Sequence, residues 1–278
     1  FSIRKLDYDD AATYKMLGQG ETEGVFQLES SGMKQVLVGL QPQNLEDVIA
    51  LISLYRPGPM DSIPTYLRNR HEPDKISYKT PQLAHILDVT NGCIVYQEQV
   101  MQIFRELAGF SFGQADNVRR AMSKKKHAVM EAEREHFVHG CTEPGHECPG
   151  CVANGISEKV ANEIYDEMSS FASYAFNKSH AACYAYVAFQ TAYLKCHYPS
   201  EFMAALLTSV LDNTDKVIEY SGECARLGIK VLPPDVNISN GGFTADDGKI
   251  RFGLNAVKNV GRNLIERVVE ERKEKPYA

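Results

Sequence analysis

Two groups of side chains in this 278-residue chain have types and spacings that could do chemistry. The first lies between Gly109 and Lys126, where Arg119 and Arg120 stand side by side and Lys124, Lys125 and Lys126 follow in a row. Guanidinium forks match phosphate oxygens two at a time, so an arginine pair is a candidate phosphate clamp. Ala115, Val118 and Met122 recur at helical spacing, which puts these cations on a helix with one apolar stripe. Asp116 stands near its N-terminus, where the helix dipole favours a carboxylate. Such a helix needs an anionic partner, a solvated face, or both.

The second group is Cys141, His146, Cys148 and Cys151, a C-x6-C-x2-C array with a histidine inside it. Pro149 and Gly150 shape a knuckle turn between the last two thiols. With His146 (or else His139) they predict a tetrahedral Cys3His site, and thiolate with imidazole selects zinc over calcium or magnesium. A closed four-ligand set has no open position, so the predicted role is structural, a staple for a polar loop. The competing reading is a redox-labile or incidental cluster.

Two smaller sites could also meet anions. Arg56 is held on the rigid Tyr55-Arg-Pro-Gly-Pro-Met60 turn, and its simpler role is to pair with a nearby acid. Asn177, Lys178, Ser179 and His180 open a long helix, where free amides and the dipole favour negative charge. Asp7, Asp9 and Asp10 have a spacing that could hold metal ions, but an N-cap at Asp9 for the next helix explains them more cheaply.

Composition limits the partners. A formal net charge of −6 argues against coating nucleic acid through bulk charge. Residues 51–130 nevertheless carry 11 Lys or Arg against 7 acids, the asymmetry expected of a local phosphate site. Seven cysteines, three of them crowded together, do not make a secreted disulfide framework and point to a reducing compartment. The longest nearly uncharged run, Ala181 to Leu194, is too short to span a bilayer. The opening at Phe1 without Met reads as an excised piece of a longer protein, soluble and cytoplasmic.

The elements that must carry these groups are mainly helices. Gly24 to Glu29 reads as an extended segment, and Asn44 and Ser157 as N-caps. Apolar spacing from Val95 to Leu107 predicts a helix closed by Gly109. Ser179 to His197, apolar or small on most sides, reads as a buried central strut. Cys93, Cys183, Cys196 and Cys224 read as small core residues. Asp246-Asp247-Gly248 between Phe243-Thr-Ala and Lys249-Ile-Arg-Phe predicts a β-hairpin. Leu254 to Lys258, the turn Asn259-Val260-Gly261 and a helix from Arg262 form a helix–turn–helix unit.

Six stretches together resemble the alpha subunit of bacterial DNA polymerase III, a C-family replicative polymerase. They are Gly24-Val-Phe-Gln-Leu-Glu-Ser, Tyr55-Arg-Pro-Gly-Pro-Met, Tyr96-Gln-Glu-Gln-Val-Met, Ala115-Asp-Asn-Val-Arg-Arg-Ala-Met-Ser-Lys-Lys, Phe176-Asn-Lys-Ser-His-Ala-Ala and Leu232-Pro-Pro-Asp-Val-Asn. The fold is expected to be mainly α, and the resemblance implies that residues 1–200 are a multi-helix fingers domain. The Cys-rich segment 139–155, the zinc-binding insertion expected from spacing, departs from the plain loop of many relatives. Residues 201–278 begin an α+β region with the hairpin and a helix-hairpin-helix. The resemblance also implies that Arg119 and Arg120 lie along the triphosphate of an incoming dNTP, with Arg56, Asn177, Lys178, Ser179 and His180 lining the same pocket.

Lys124, Lys125 and Lys126 would meet DNA backbone, as would Val260, Gly261 and Arg262 through amides at a hairpin turn. Asn259, where a first glycine is common in such motifs, leaves a purely structural hairpin equally open. The implied partners are dNTP and primer-template DNA, and in the intact subunit the palm domain, the sliding clamp and other replisome subunits. Magnesium would be held by palm aspartates upstream of Phe1, so the fragment alone would be part of a nucleotidyltransferase and inactive by itself. The zinc expectation rests on spacing, not on the resemblance. The alternative from another class is a non-catalytic, zinc-stapled nucleic-acid or protein interaction module.

Overall fold

The computed structural model describes residues 2–124, 127–172 and 176–277. They are mainly helical and divide into two compact units, residues 42–186 and residues 1–41 with 187–278. Among the described residues no helix is long and apolar enough to cross a membrane.

The 42–186 unit opens at Asn44, whose side chain accepts the Asp47 amide at 3.0 Å and starts the Leu45–Leu54 helix. That helix is buried from Asp47 to Leu54, and the Asp47 carboxylate is paired with Arg70 at 3.2 Å. It ends where Arg56-Pro-Gly-Pro follows, with Gly58 at φ 101 in a region that side chains rarely enter. The helices Gln97–Ala108, Phe112–Ser123, His127–His139 and Glu158–Ala172 then share one core. At its centre Phe104 meets Phe137 edge-on at 5.1 Å and Tyr165 at 6.0 Å, arrangements that aromatic quadrupoles favour. The Ser157 hydroxyl accepts the Val160 amide at 3.4 Å, the predicted cap.

In the other unit, Asp10 and not Asp9 caps the Ala11–Gly18 helix, accepting from the Thr13 amide and hydroxyl. Asp7 accepts the Asp9 amide at 3.0 Å. Residues 24–29 are not extended. They form successive turns, with Val25 N–H on the Thr22 carbonyl and Leu28 N–H on that of Val25. The predicted hairpin is present as β2 (Thr244–Asp246) and β3 (Lys249–Arg251), and Ile250 on β3 is fully buried. A strand the sequence did not reveal, β1 (Val231–Leu232), pairs parallel to β3, giving the order β1-β3-β2. The first helix of the C-terminal helix–turn–helix is only a 3-10 turn, Leu254–Ala256, and the second runs over Arg262–Glu271. Asn259 adopts φ 65, which explains why glycine is at home there.

The Lys178–His197 helix is less buried than its composition predicted. Ala181, Ala185, Ala188, Phe189 and Ala192 are fully buried, whereas Tyr186 and Val187 are exposed. Cys93 and Cys224 are core residues as expected, but Cys183 is exposed and Cys196 only half-buried.

Candidate functional site

The cation-bearing helix is fixed at both its start and its face. Gly109, at φ 77, closes the preceding helix by donating to the carbonyl of Arg105. Two residues later Ser111 accepts the Gln114 amide, and the Gln114 side chain accepts that of Ser111 at 2.7 Å, a reciprocal capping box. Ala115, Val118 and Met122 are buried in the core, so Arg119 and Arg120 are turned away from it.

The two arginines are not equivalent. The Arg119 side chain is only 17% exposed and bonded on two sides. Its Nε and one terminal nitrogen donate to Asp116 Oδ1 at 3.0 and 2.8 Å, and the other donates to Gln97 Oε1 at 3.1 Å. Arg120 is 64% exposed and touches Asp116 Oδ2 through Nε at 2.7 Å. The hydrogen bond from Arg119, with the charge of both guanidiniums, holds the Asp116 carboxyl below the usual range.

A short backbone ladder brings the second predicted segment to the same place. Gln97 N–H donates to the Phe176 carbonyl at 2.9 Å, and Tyr96 and Phe176 pair as a parallel bridge. Asn177 and Lys178 are thereby set beside Gln97 and Glu98. The Asn177 side chain accepts the His180 amide at 3.0 Å, capping the long helix. Its Nδ2 donates to Glu98 Oε1 at 3.0 Å, and the Lys178 backbone amide donates to both Glu98 oxygens at 3.2 Å. A carboxylate therefore occupies the helix N-terminus that the sequence marked for an anion. Gln97, Glu98, Arg105, Asp116, Arg119 and Asn177 all line one cleft of about 470 Å³.

The other candidates do not line this cleft. The Arg56 guanidinium carbon lies over the Phe176 ring, 3.9 Å from its centre, with Nε donating to the Ser53 carbonyl, and burial pulls its pKa below the usual value. The Lys178 ammonium pairs with Glu46 at 3.0 Å and lies 5.2 Å from the Tyr96 ring centre. The His180 ring is flanked by Phe176 and Tyr184 at 5.2 and 4.4 Å, and Ser179 is exposed. Gln97 and Glu98 went unassigned in the sequence. Their signals were a place at the start of an amphipathic helix and inside the Tyr96-Gln-Glu-Gln-Val-Met stretch, and their partners are about 20 and 80 residues away.

Of the DNA-backbone candidates, Lys124 is exposed, and Lys125 and Lys126 lie outside the described residues. Val260 is half-buried and Gly261 exposed. Arg262 is engaged by both oxygens of Asp212 at 2.9 and 2.8 Å, so a phosphate there would compete with an acid already in place.

The cysteine array is not gathered as predicted. Among the described residues no three His, Cys, Asp or Glu side chains are grouped to hold a metal ion. Cys141 and Cys148 face each other across an antiparallel bridge, while Cys151 is fully buried in the apolar core. His146 is exposed, on a turn where its amide donates to the Glu143 carbonyl. A Cys3His zinc site needs all four donors about 2.0–2.3 Å from one point. Here Cys141, His146, Cys148 and Cys151 are not grouped as such a set, and Asp7 and Asp10 are engaged by backbone amides, of Asp9 and Thr13.

Residues 1–145 match the model of the bacterial DNA polymerase III alpha subunit finger domain, and residues 228–278 match a helix-hairpin-helix motif. The chain is 50% identical over 273 residues to the DNA polymerase III subunit alpha of Thermus aquaticus, covering 96% of this chain and 22% of that relative. It is 45% identical over 275 residues to the subunit of the same name from Bacillus subtilis, covering 99% and 24%. Against that of Chlamydia pneumoniae the figures are 46% over 271 residues, covering 98% and 21%. The chain thus spans under a quarter of the length of these relatives.

Proposed function

The chain belongs to the bacterial DNA polymerase III alpha-subunit finger-domain family, and from that membership we propose that its cleft receives the triphosphate of an incoming dNTP during DNA replication. The observation that carries this reading is the convergence of Arg119, Asn177 and the start of the long helix on one cleft. Two unlike phosphate-binding devices, a guanidinium fork and a helix N-terminus, meet there.

In this reading Arg119 is pre-oriented by Asp116 and Gln97 and turns its fork from them to phosphate oxygens. Arg120, more exposed, follows the outer phosphate. The helix N-terminus supplies backbone amides once Glu98 withdraws. Arg56, Lys178, Ser179 and His180 build the wall: the Arg56–Phe176 stack braces the bridge residue that precedes Asn177. Lys124, Lys125 and Lys126, with Val260, Gly261 and Arg262, are assigned to DNA backbone. Residues 1–200 are assigned to the fingers and 201–278 to the start of the helix-hairpin-helix region.

The chemical step of such a polymerase uses two magnesium ions to activate the primer hydroxyl and stabilise the leaving group. No residue of this chain is assigned to them, so this piece positions the nucleotide and is inactive in isolation. Its surroundings in the intact protein are primer-template DNA, a palm domain, the sliding clamp and other replisome subunits, in the bacterial cytoplasm. Zinc is not carried forward, because the thiol geometry does not fit it.

Steady-state kinetics of the intact polymerase test the reading. Arg119→Ala and Arg120→Ala should each raise the KM for dNTP by tenfold or more, the loss of about one charge-assisted phosphate contact. DNA affinity should change little. A loss of salt-dependent DNA binding with an unchanged KM for dNTP would move both arginines to the DNA backbone and defeat the proposal.

A further inference from the structure

The three thiols at 141, 148 and 151 take no part in the nucleotide cleft, and their geometry answers a separate question. Cys141 N–H donates to the Cys148 carbonyl at 2.9 Å, and Cys148 N–H to that of Cys141 at 2.9 Å. The two residues are therefore a directly opposed, hydrogen-bonded antiparallel pair, with both side chains on one face. All seven cysteines are free thiols. In such a pair the Cα atoms are about 5.5 Å apart, inside the range a disulfide spans.

The loop is held so that this pairing is not incidental. Gly140, at φ 87, and Gly150, at φ 79, flank the pair and touch backbone to backbone. A Cβ added to Gly150 would come within 2.3 Å of the Gly140 nitrogen, so the close backbone approach that sets the loop admits no side chain there. Cys151, one residue beyond, is fully buried among apolar side chains, and burial pushes its thiol up to about 12. It is chemically quiet.

We propose that Cys141 and Cys148 form a reversible dithiol–disulfide pair, oxidised by exchange with a small-molecule disulfide such as oxidised glutathione. Cys141, the half-buried member, attacks first. Its thiolate forms a bond to one glutathione sulfur and expels the other as glutathione thiolate. Cys148, whose Sγ rests on the His136 carbonyl at 3.6 Å, then attacks Cys141 Sγ, releasing the second glutathione. Each departing thiolate takes up the proton lost by the attacking cysteine. Two protein thiols are oxidised and one glutathione disulfide is reduced to two thiols.

The register also sets the character of the bond. Opposed Cβ atoms begin about 4.5–5.5 Å apart, whereas a relaxed disulfide wants about 3.8 Å. Closing that gap strains the loop, and strained disulfides are the readily reduced ones. Burial raises the Cys148 thiol above its usual range, which lowers its thiolate fraction. The pair is suited to respond to thiol balance, not to act as a permanent staple.

Peptide mapping tests this on the intact protein, purified under reducing conditions, treated with oxidised glutathione, alkylated and cleaved after glutamate, which separates Cys141 from Cys148. The expected product joins the Cys141 and Cys148 peptides, is lighter by two hydrogens, and reverts with dithiothreitol. Cys151→Ser should leave it unchanged, and Cys148→Ser should instead trap a glutathione adduct on Cys141. A dominant Cys148–Cys151 link, or no link with Cys141 still free, overturns the proposal. So does a stoichiometric zinc ion that shields all three thiols. The wild-type map decides alone if a variant fails to fold, and none of these readouts depends on the nucleotide reading of the cleft.

Discussion

The Glu98 carboxylate sits across the first turn of the long helix, accepting the Lys178 backbone amide on both oxygens at 3.2 Å. On the nucleotide reading it holds the seat that an incoming phosphate would need. An exposed anion at a helix N-terminus contributes about 0.3–1 kcal/mol, so Glu98→Gln should lower stability by that amount. The denaturant midpoint should fall with the slope unchanged. On the nucleotide reading, the same variant of the intact polymerase should have a lower KM for dNTP, because the triphosphate no longer displaces a carboxylate. A raised KM would instead make Glu98 a ligand-holding residue.

Asp116 gives a pH dependence with a defined sign. Its two arginine partners depress its folded-state pKa relative to the unfolded chain. The stabilisation is thus complete above the unfolded value of about 4 and is lost as pH falls through the folded one. Asp116→Asn lacks this term. Stability measured from neutral pH down to about pH 3 should fall more steeply for the wild type than for Asp116→Asn. Parallel curves would mean that the Asp116–arginine contacts carry no net energy, as exposed ion pairs often do.

The parts of this site that were legible in the sequence are those set by local rules. Asn44, Ser157 and Gly109 end or begin helices as their types dictate, and the apolar stripe of Ala115, Val118 and Met122 turns Arg119 outward. Asp9 was displaced by its neighbour because Asp10 can also reach the Thr13 hydroxyl and His197. Spacing also failed for the cysteines: it fixes how far apart donors can be, not which face of a hairpin each occupies. Glu98 was beyond local reasoning, since its partners arrive only when Phe176 docks against Val95 and Gln97.

Gly109 links the cation-bearing helix to the cysteine loop. A Cβ there would lie 2.5 Å from the Pro149 ring, and the residue sits at φ 77. Gly109→Ala should cost about 1–2 kcal/mol from the left-handed backbone alone, with the clash added. Pro149→Ala removes only the clash. In a double-mutant cycle the pair should therefore recover part of the loss but not all of it. Additive losses would show that the turn and the loop do not press on each other.

Among the described residues, the most buried ion pair lies in the unit of residues 1–41 and 187–278. Lys195 is 2% exposed and its ammonium donates to Glu223 Oε1 at 2.7 Å and to the Glu23 carbonyl at 2.9 Å. Burial opposes the charge on Glu223, but hydrogen bonds from Arg226 and Lys195 outweigh it and keep its pKa low. Removing Glu223 strands the Lys195 charge in the core, so Glu223→Ala should cost about 3–5 kcal/mol. Lys195→Ala should cost less, because Arg226 still donates to Glu223 at 2.7 and 2.8 Å. The paired change Lys195→Met with Glu223→Leu removes both charges and refills the volume, so it should lose far less than Glu223→Ala. Arg226 loses its Glu223 partner in that variant but keeps Glu21, at 3.1 Å, which limits the remaining cost. Thermal unfolding of the four proteins decides the matter, and a double variant as unstable as the sum of the singles would refute a desolvated pair.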